Sequence, residues 1–167
     1  MAVKEQLSQQ DYVKKCKKAA EQGNVIAQNT LGFLYLNGQG VNKDYAEAVK
    51  WYRRAAEQDY DVAQFNLAIM YKLGNGVEQN HTQALKWMTV AAEQGHADAQ
   101  SNLGNMYYQG LAVMQDYVMA YKWWLLAENN GSKDLDHNKK ELLKKMQPSQ
   151  INNAEQSAQE WIKQHAK

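Results

Sequence analysis

The stretch Ala20-Glu21-Gln22-Gly23 returns as Ala56-Glu57-Gln58-Asp59 and again as Ala92-Glu93-Gln94-Gly95, at an interval of 36 residues both times. Self-similarity at a fixed interval of about 20 to 50 residues is the signature of a stacked repeat array, in which each unit buries its apolar face only against its neighbours. The 167 residues therefore count units of one array.

Laying the units over one another gives each a first helix and a second helix. The first reads Ala27-Gln28, Leu31-Gly32, Tyr35; then Ala63-Gln64, Leu67-Ala68, Tyr71; then Ala99-Gln100, Leu103-Gly104, Tyr107. Ala, Leu and Tyr at i, i+4 and i+8 share one helical face. Gly32 and Gly104, with Ala68 between them, lie mid-helix, where Gly costs about 1 kcal/mol against Ala. A cost that recurs predicts a neighbouring helix passing too close for a larger side chain.

A glycine break follows each first helix, at Gly38 and Gly40, at Gly74 and Gly76, and at Gly110 with Ala112 in place of the second glycine. That exchange predicts a differently shaped third loop. Asp44 with Glu47, and Asn80 with Gln83, have capping-box spacing; Asp116 can cap, but Met119 cannot return the bond. The second helix then repeats Ala48, Trp51, Tyr52, Ala55; Ala84, Trp87, Met88, Ala91; and Ala120, Trp123, Trp124, Ala127. Such a stripe is wide enough to bury one face. The series Trp51, Trp87, Trp123 could serve as a stacking platform for a cofactor or nucleic acid. Spacing in register favours a packing ladder, each ring burying about 150–250 Å².

The pattern A-x-x-x-L-G-x-x-Y-x-x-G-x-G-V-x-x-D-x-x-x-A-x-x-W-Y-x-x-A-A-x-Q-G, almost complete over residues 27–58 and 63–95, resembles the Sel1-like repeat, a relative of the tetratricopeptide repeat. The resemblance implies an all-α fold, an α/α superhelical solenoid of antiparallel helix pairs, and one solenoid domain over residues 1–167. Its parts are an N-terminal half-repeat helix (8–22), three repeats (24–59, 60–95 and 96–131) and a divergent C-terminal capping helix pair (132–167). In the half-repeat, Tyr12 falls under Ala48, Lys15 under Trp51 and Ala19 under Ala55, as suits an end with a polar outer face. In the tail, Ser132 is expected to cap a helix running to about Met146. A last helix from Pro148 carries Ile151, Ala154, Ala158, Trp161 and Ile162 inward. Lys133, Lys139, Lys140, Lys144 and Lys145 are expected on a solvated face.

A formal charge of +1 gives no field to gather nucleic acid or an acidic membrane. No apolar run of about 20 residues offers a membrane span. No nucleic-acid partner and no membrane insertion are expected. Cys16 is alone, so no intramolecular disulfide can form. Its lysine neighbours Lys14, Lys15, Lys17 and Lys18 could lower a thiol pKa or contact phosphate, but alignment under Tyr52 points the thiol inward as a structural residue. His81, His96, His137 and His165 have no i, i+4 pairing, so no metal site, cofactor or catalytic residue is expected. The chain as written suits the cytoplasm; a preceding leader would make it periplasmic or secreted.

Binding is the expected function. The first helices of such a solenoid line its concave side. With Ala27, Leu31 and Tyr35 buried, Asn29, Phe33 and Leu36 stand opposite, followed by Phe65, Ile69 and Lys72, then Ser101, Asn105 and Tyr108. These nine positions change character while the framework does not. They are the expected groove for a protein or peptide partner, making the chain a non-enzymatic interaction adaptor of the kind frequent in bacteria. The resemblance also implies two competitors. One is a hydrolase or cell-wall-acting protein, which in that family goes with paired cysteines absent from this chain. The other is a structural segment of a longer array.

Overall fold

The structure is a computed structural model that describes residues 2–133 and 135–165, with side chains described from residue 9 onward. Among the described residues there are helices and no strand: α1 (Ala2–Glu21), α2 (Val25–Asn37), α3 (Tyr45–Ala56), α4 (Asp61–Leu73), α5 (His81–Glu93), α6 (Ala97–Gln109), α7 (Tyr117–Asn129), α8 (Asp136–Leu143) and α9 (Pro148–His165). The fold is an all-α solenoid of helix pairs. The chain divides into two compact units, with the division inside α5 after Trp87.

In the N-terminal unit, Val13, Cys16 and Ala20 of α1 pack with Leu31 and Leu34 of α2 and with Trp51 of α3. A second cluster joins Tyr52 and Ala55 of α3 to Ala63, Leu67 and Tyr71 of α4. The mid-helix glycine has the predicted cause. A Cβ on Gly32 would lie 2.7 Å from the Tyr52 ring. In the C-terminal unit Gly104 meets the Trp124 ring in the same way, and a Cβ there would lie 2.4 Å from Cδ1. The middle repeat has Met88 at the aromatic position and Ala68 at the glycine position.

The caps form by a different route from a capping box. Asp44 accepts from the backbone N–H groups of Ala46 and Glu47, Asn80 from that of Gln83 and Asp116 from that of Met119. The cap residues' own N–H groups, however, donate to Tyr35, Tyr71 and Tyr107 of the preceding helices, at 2.9, 3.0 and 3.0 Å. No Glu or Gln is needed to return the bond, which is why Met119 does no harm.

The third glycine break keeps its shape despite the exchange. Ala112 adopts φ +61°, beside +71° and +68° for Gly40 and Gly76. The expected different loop is therefore absent, and the alanine carries the strain of the left-handed region. Asp59 also enters that region, at φ +60°, where a short polar side chain is better tolerated. Gly76 has no such latitude: a Cβ there would lie 2.3 Å from the Tyr45 carbonyl group at the start of α3.

Both ends depart from expectation. The N-terminal helix, expected from Ser8, begins at Ala2. At the other end Ser132 does not cap a helix: its N–H donates to Ala127 and closes α7. Helix α8 begins at Asp136, after the buried Leu135. Burying Leu135 fixes the chain ahead of the helix, and the Asp136 carboxylate then favours the N-terminal turn. Helices α8 and α9 and the turn between them complete the core of the C-terminal unit, with Leu142, Met146 and Ala154 against Tyr121, Trp124 and Ala127 of α7.

Candidate functional site

The residues that repeat build a seam between successive helices, and one of them escaped the sequence reading. Gln28, Gln64 and Gln100 are buried. Their Nε2 groups donate to the carbonyls of Ala20, Ala56 and Ala92 at 3.1, 3.2 and 3.0 Å, each capping the end of the preceding second helix. The other end of the amide is used as well. Gln28 Oε1 accepts from Gln58 Nε2 at 2.7 Å, and Gln100 Oε1 accepts from Asn130 Nδ2 at 2.9 Å. The opening Ala-Glu-Gln stretch thus supplies both the carbonyl and, through Gln58, the closing donor. A buried amide is tolerated only when its polar ends are satisfied, so these glutamines are clasps.

The nine expected partner-binding positions all keep solvent-accessible surface. Phe33 is exposed, and Asn29, Leu36, Phe65, Ile69, Lys72, Ser101, Asn105 and Tyr108 are half-buried. In the N-terminal unit, Asn66 Nδ2 donates to Asn29 Oδ1 at 3.0 Å and ties α4 to α2 beside this face. Leu36 is drawn toward the core, where it packs with Tyr35 and Tyr45 around the α3–α4 cluster.

The C-terminal unit treats its share differently. The Tyr108 ring stands 5.8 Å from Tyr117 and 5.7 Å from Trp124, and the Lys145 ammonium lies 5.0 Å above it. Lys145 Nζ also donates to the Tyr108 hydroxyl at 3.0 Å; that bond holds the ammonium above the ordinary lysine range. Asn105 and Tyr108 line a cleft whose far wall is His137, Asn138 and Glu141 of α8. Here the face is polar and partly roofed. Of the tail lysines expected on a solvated face, Lys133, Lys140, Lys144 and Lys145 are exposed, and only Lys139 departs, held in ion pairs with Glu128 and Asp136.

Cys16, His96 and His165 are engaged in structure. Cys16 is buried, its Sγ donates to the Ala27 carbonyl at 3.3 Å, and burial pushes the thiol pKa up. That is the opposite of an activated thiolate. His96 caps α6, its Nδ1 accepting from the Ala99 N–H at 3.2 Å. His165 stacks on Trp161 with ring centroids 3.9 Å apart. Among the described residues, no group of three His, Cys, Asp or Glu side chains is placed to hold a metal ion. No helix among them is long and apolar enough to cross a membrane.

A face of exposed and half-buried side chains on a framework of clasped helix pairs defines a helix-repeat scaffold. Residues 25–60, 61–96 and 97–132 each match the Sel1 repeat, and the chain belongs to that family. Sel1 repeats commonly mediate protein–protein interaction, and the scaffolds built from them are generally non-enzymatic. Two solved structures are similar. The Sel1 repeat protein from Oxalobacter formigenes is 36% identical over 74% of this chain and 52% of its own, with a TM-score of 0.69. A protective antigen with the same repeat fold, present in uropathogenic Escherichia coli strains, is 31% identical over 92% of this chain and 41% of its own, with a TM-score of 0.64. The chain thus spans about half or less of the length of these two proteins. A comparison with curated proteins finds no match.

Proposed function

We propose that this Sel1 repeat protein is an adaptor that holds a peptide or protein surface against the outward face of its first helices, without catalysing a reaction. One observation carries this reading. In the N-terminal unit Phe33, Phe65 and Ile69 offer apolar surface to solvent beside the Asn29–Asn66 amide pair. Aromatic and aliphatic anchors next to a few fixed polar groups are the usual composition of an interface centre. Lys72 adds a polar group to this face in the N-terminal unit, and in the C-terminal unit the Asn105–Tyr108 cleft offers polar groups of its own. Tyr108 acts as a wall of the cleft, held by Lys145, and not as an anchor.

The test is affinity capture from the native cell followed by mass spectrometry, with the wild-type chain and the Phe33→Ala, Phe65→Ala, Ile69→Ala variant. The variant is expected to lose the captured partner at least about tenfold while its helical circular dichroism is unchanged. Equal capture by a folded variant would move the site off the first helices.

A further inference from the structure

Inside the C-terminal unit, helices α7 and α9 leave a cleft between them. Tyr121 of α7 and Ala154 of α9 share one core, and beside it opens a cleft of about 490 Å³, a size in the range of small-ligand sites. Both walls are helices of the same unit. On α9, Glu155, Ala158 and Ile162 follow one another at intervals of three and four residues and so share a face; on α7, Leu125 and Glu128 do the same. All five line the cleft. Its apolar wall is Leu125, Ala158 and Ile162, of which Ala158 is buried and the other two are half-buried.

The two carboxylates of the cleft differ. Glu128 is paired with Lys139, which also pairs with Asp136. Glu155 is half-buried and makes no ion pair and no side-chain hydrogen bond among the described residues. Its charge acts within the unit: burial first, and then the Glu155 carboxylate, push the Tyr121 phenol pKa up, with Lys139 opposing and Glu128 adding to the rise. A carboxylate drawn partly out of water gains most from a cation that can follow it into the cleft. A bare metal ion does not suit the place. Among the described residues no three His, Cys, Asp or Glu side chains are set to hold one, and the apolar wall offers it nothing.

We infer that the α7–α9 cleft binds an aliphatic ammonium group, its carbon chain along Leu125, Ala158 and Ile162 and its charged nitrogen against Glu155. A methylene chain ending in an ammonium matches apolar surface and carboxylate together, as lysine side chains do at protein surfaces. The cleft lies outside the nine first-helix positions of the adaptor face, so this site stands or falls independently of that reading. The N-terminal unit supplies an internal control. Its cleft between α1 and α3 is lined by Lys17, Lys50 and Arg54 against Glu21 and Glu47, and is expected to reject the same group.

The probe is 1,5-diaminopentane, titrated into the nitrogen-15-labelled whole protein at pH 7 and low salt, with backbone amide shifts read by NMR. Saturable shifts confined to α7 and α9 are expected, with a Kd of about 1 mM. Glu155→Gln should weaken binding at least about fivefold, while Glu160→Gln, on exposed α9 surface outside the cleft, should leave it unchanged. Ammonium chloride, which lacks the carbon chain, should bind at least about tenfold more weakly than the diamine. A lysine capped as acetyl and methylamide separates the two sources of the group. Affinity equal to that of the diamine supports the site with a polypeptide lysine as occupant, and weaker binding supports it with a free amine. Absence of saturable shifts up to about 20 mM, equal affinity in the folded Glu155→Gln variant, or equal binding of ammonium chloride overturns the site.

Discussion

In the N-terminal unit Gln28 holds the Ala20 carbonyl and is held by Gln58; in the C-terminal unit Gln100 holds the Ala92 carbonyl and is held by Asn130. The residue at the closing position has changed, and the hydrogen bond has not. The outward faces of the same helices share no such constancy. Phe33 and Ile69 reach solvent in the N-terminal unit, whereas Asn105 lines a polar cleft and Tyr108 lies under Lys145 in the C-terminal unit. The comparison separates the two uses of sequence in a repeat protein: seams tolerate exchange only where the bond survives, while faces vary because their neighbours lie outside the fold.

That contrast can be broken first at its tightest seams. Gly76→Ala drives a methyl group into the Tyr45 carbonyl at a residue with φ +68°. Gly104→Ala drives one into the Trp124 ring. Each is expected to cost about 3 kcal/mol or more in denaturant unfolding, whereas alanine at Phe33 on the face should cost under about 0.5 kcal/mol. A loss below about 1 kcal/mol for both glycines would mean that the seams yield.

Next in size is a pH effect at the same seam. Tyr52 packs against Gly32 with its hydroxyl buried and unpaired, and burial pushes its pKa up to about 12. The folded state disfavours the phenolate, so this contribution is fully present below about pH 10 and is lost as pH rises toward 12, amounting to about 2 kcal/mol. Tyr52→Phe should remove that alkaline loss and leave stability at pH 7 equal or higher. An unchanged alkaline limb in the variant would assign the loss elsewhere.

Comparable in size is the clasp. Gln100→Leu strands the Ala92 carbonyl and the Asn130 amide, and is expected to cost about 2 kcal/mol; Asn130→Gln, which restores the residue found at Gln58, should be nearly neutral. Smallest, and opposite in sign, is Ala112→Gly. Relieving the left-handed alanine should raise stability by about 1 kcal/mol, measured as a shift in the denaturation midpoint at constant slope.

The fold was legible because its determinants repeat. Gly32 and Gly104 announced a close helix, and the Asp44, Asn80 and Asp116 caps could be placed from spacing alone. Gln28, Gln64 and Gln100 were equally periodic, yet their burial was hidden because glutamine on a helix usually means surface. Only the positions of the Ala20, Ala56 and Ala92 carbonyls reveal the clasp. Ala112 misled because the loop geometry is imposed by the helices on either side, which can hold an alanine in a conformation its own preferences disfavour. The cleft wall at Asn105 and the Lys145–Tyr108 contact were illegible for a different reason: α8 and α9 are out of register with the repeat, so no periodic position foretells them.

The most direct measurement of the central claim is site-specific photo-cross-linking in the native cell. A benzophenone side chain replaces Ile69 on the first-helix face in one sample, and Lys50 or Lys86, exposed on second helices, in the others. Cross-linking of one polypeptide partner from position 69 and none from positions 50 and 86 is the predicted result. The same partner captured from positions 50 and 86 but not from 69 would contradict the account.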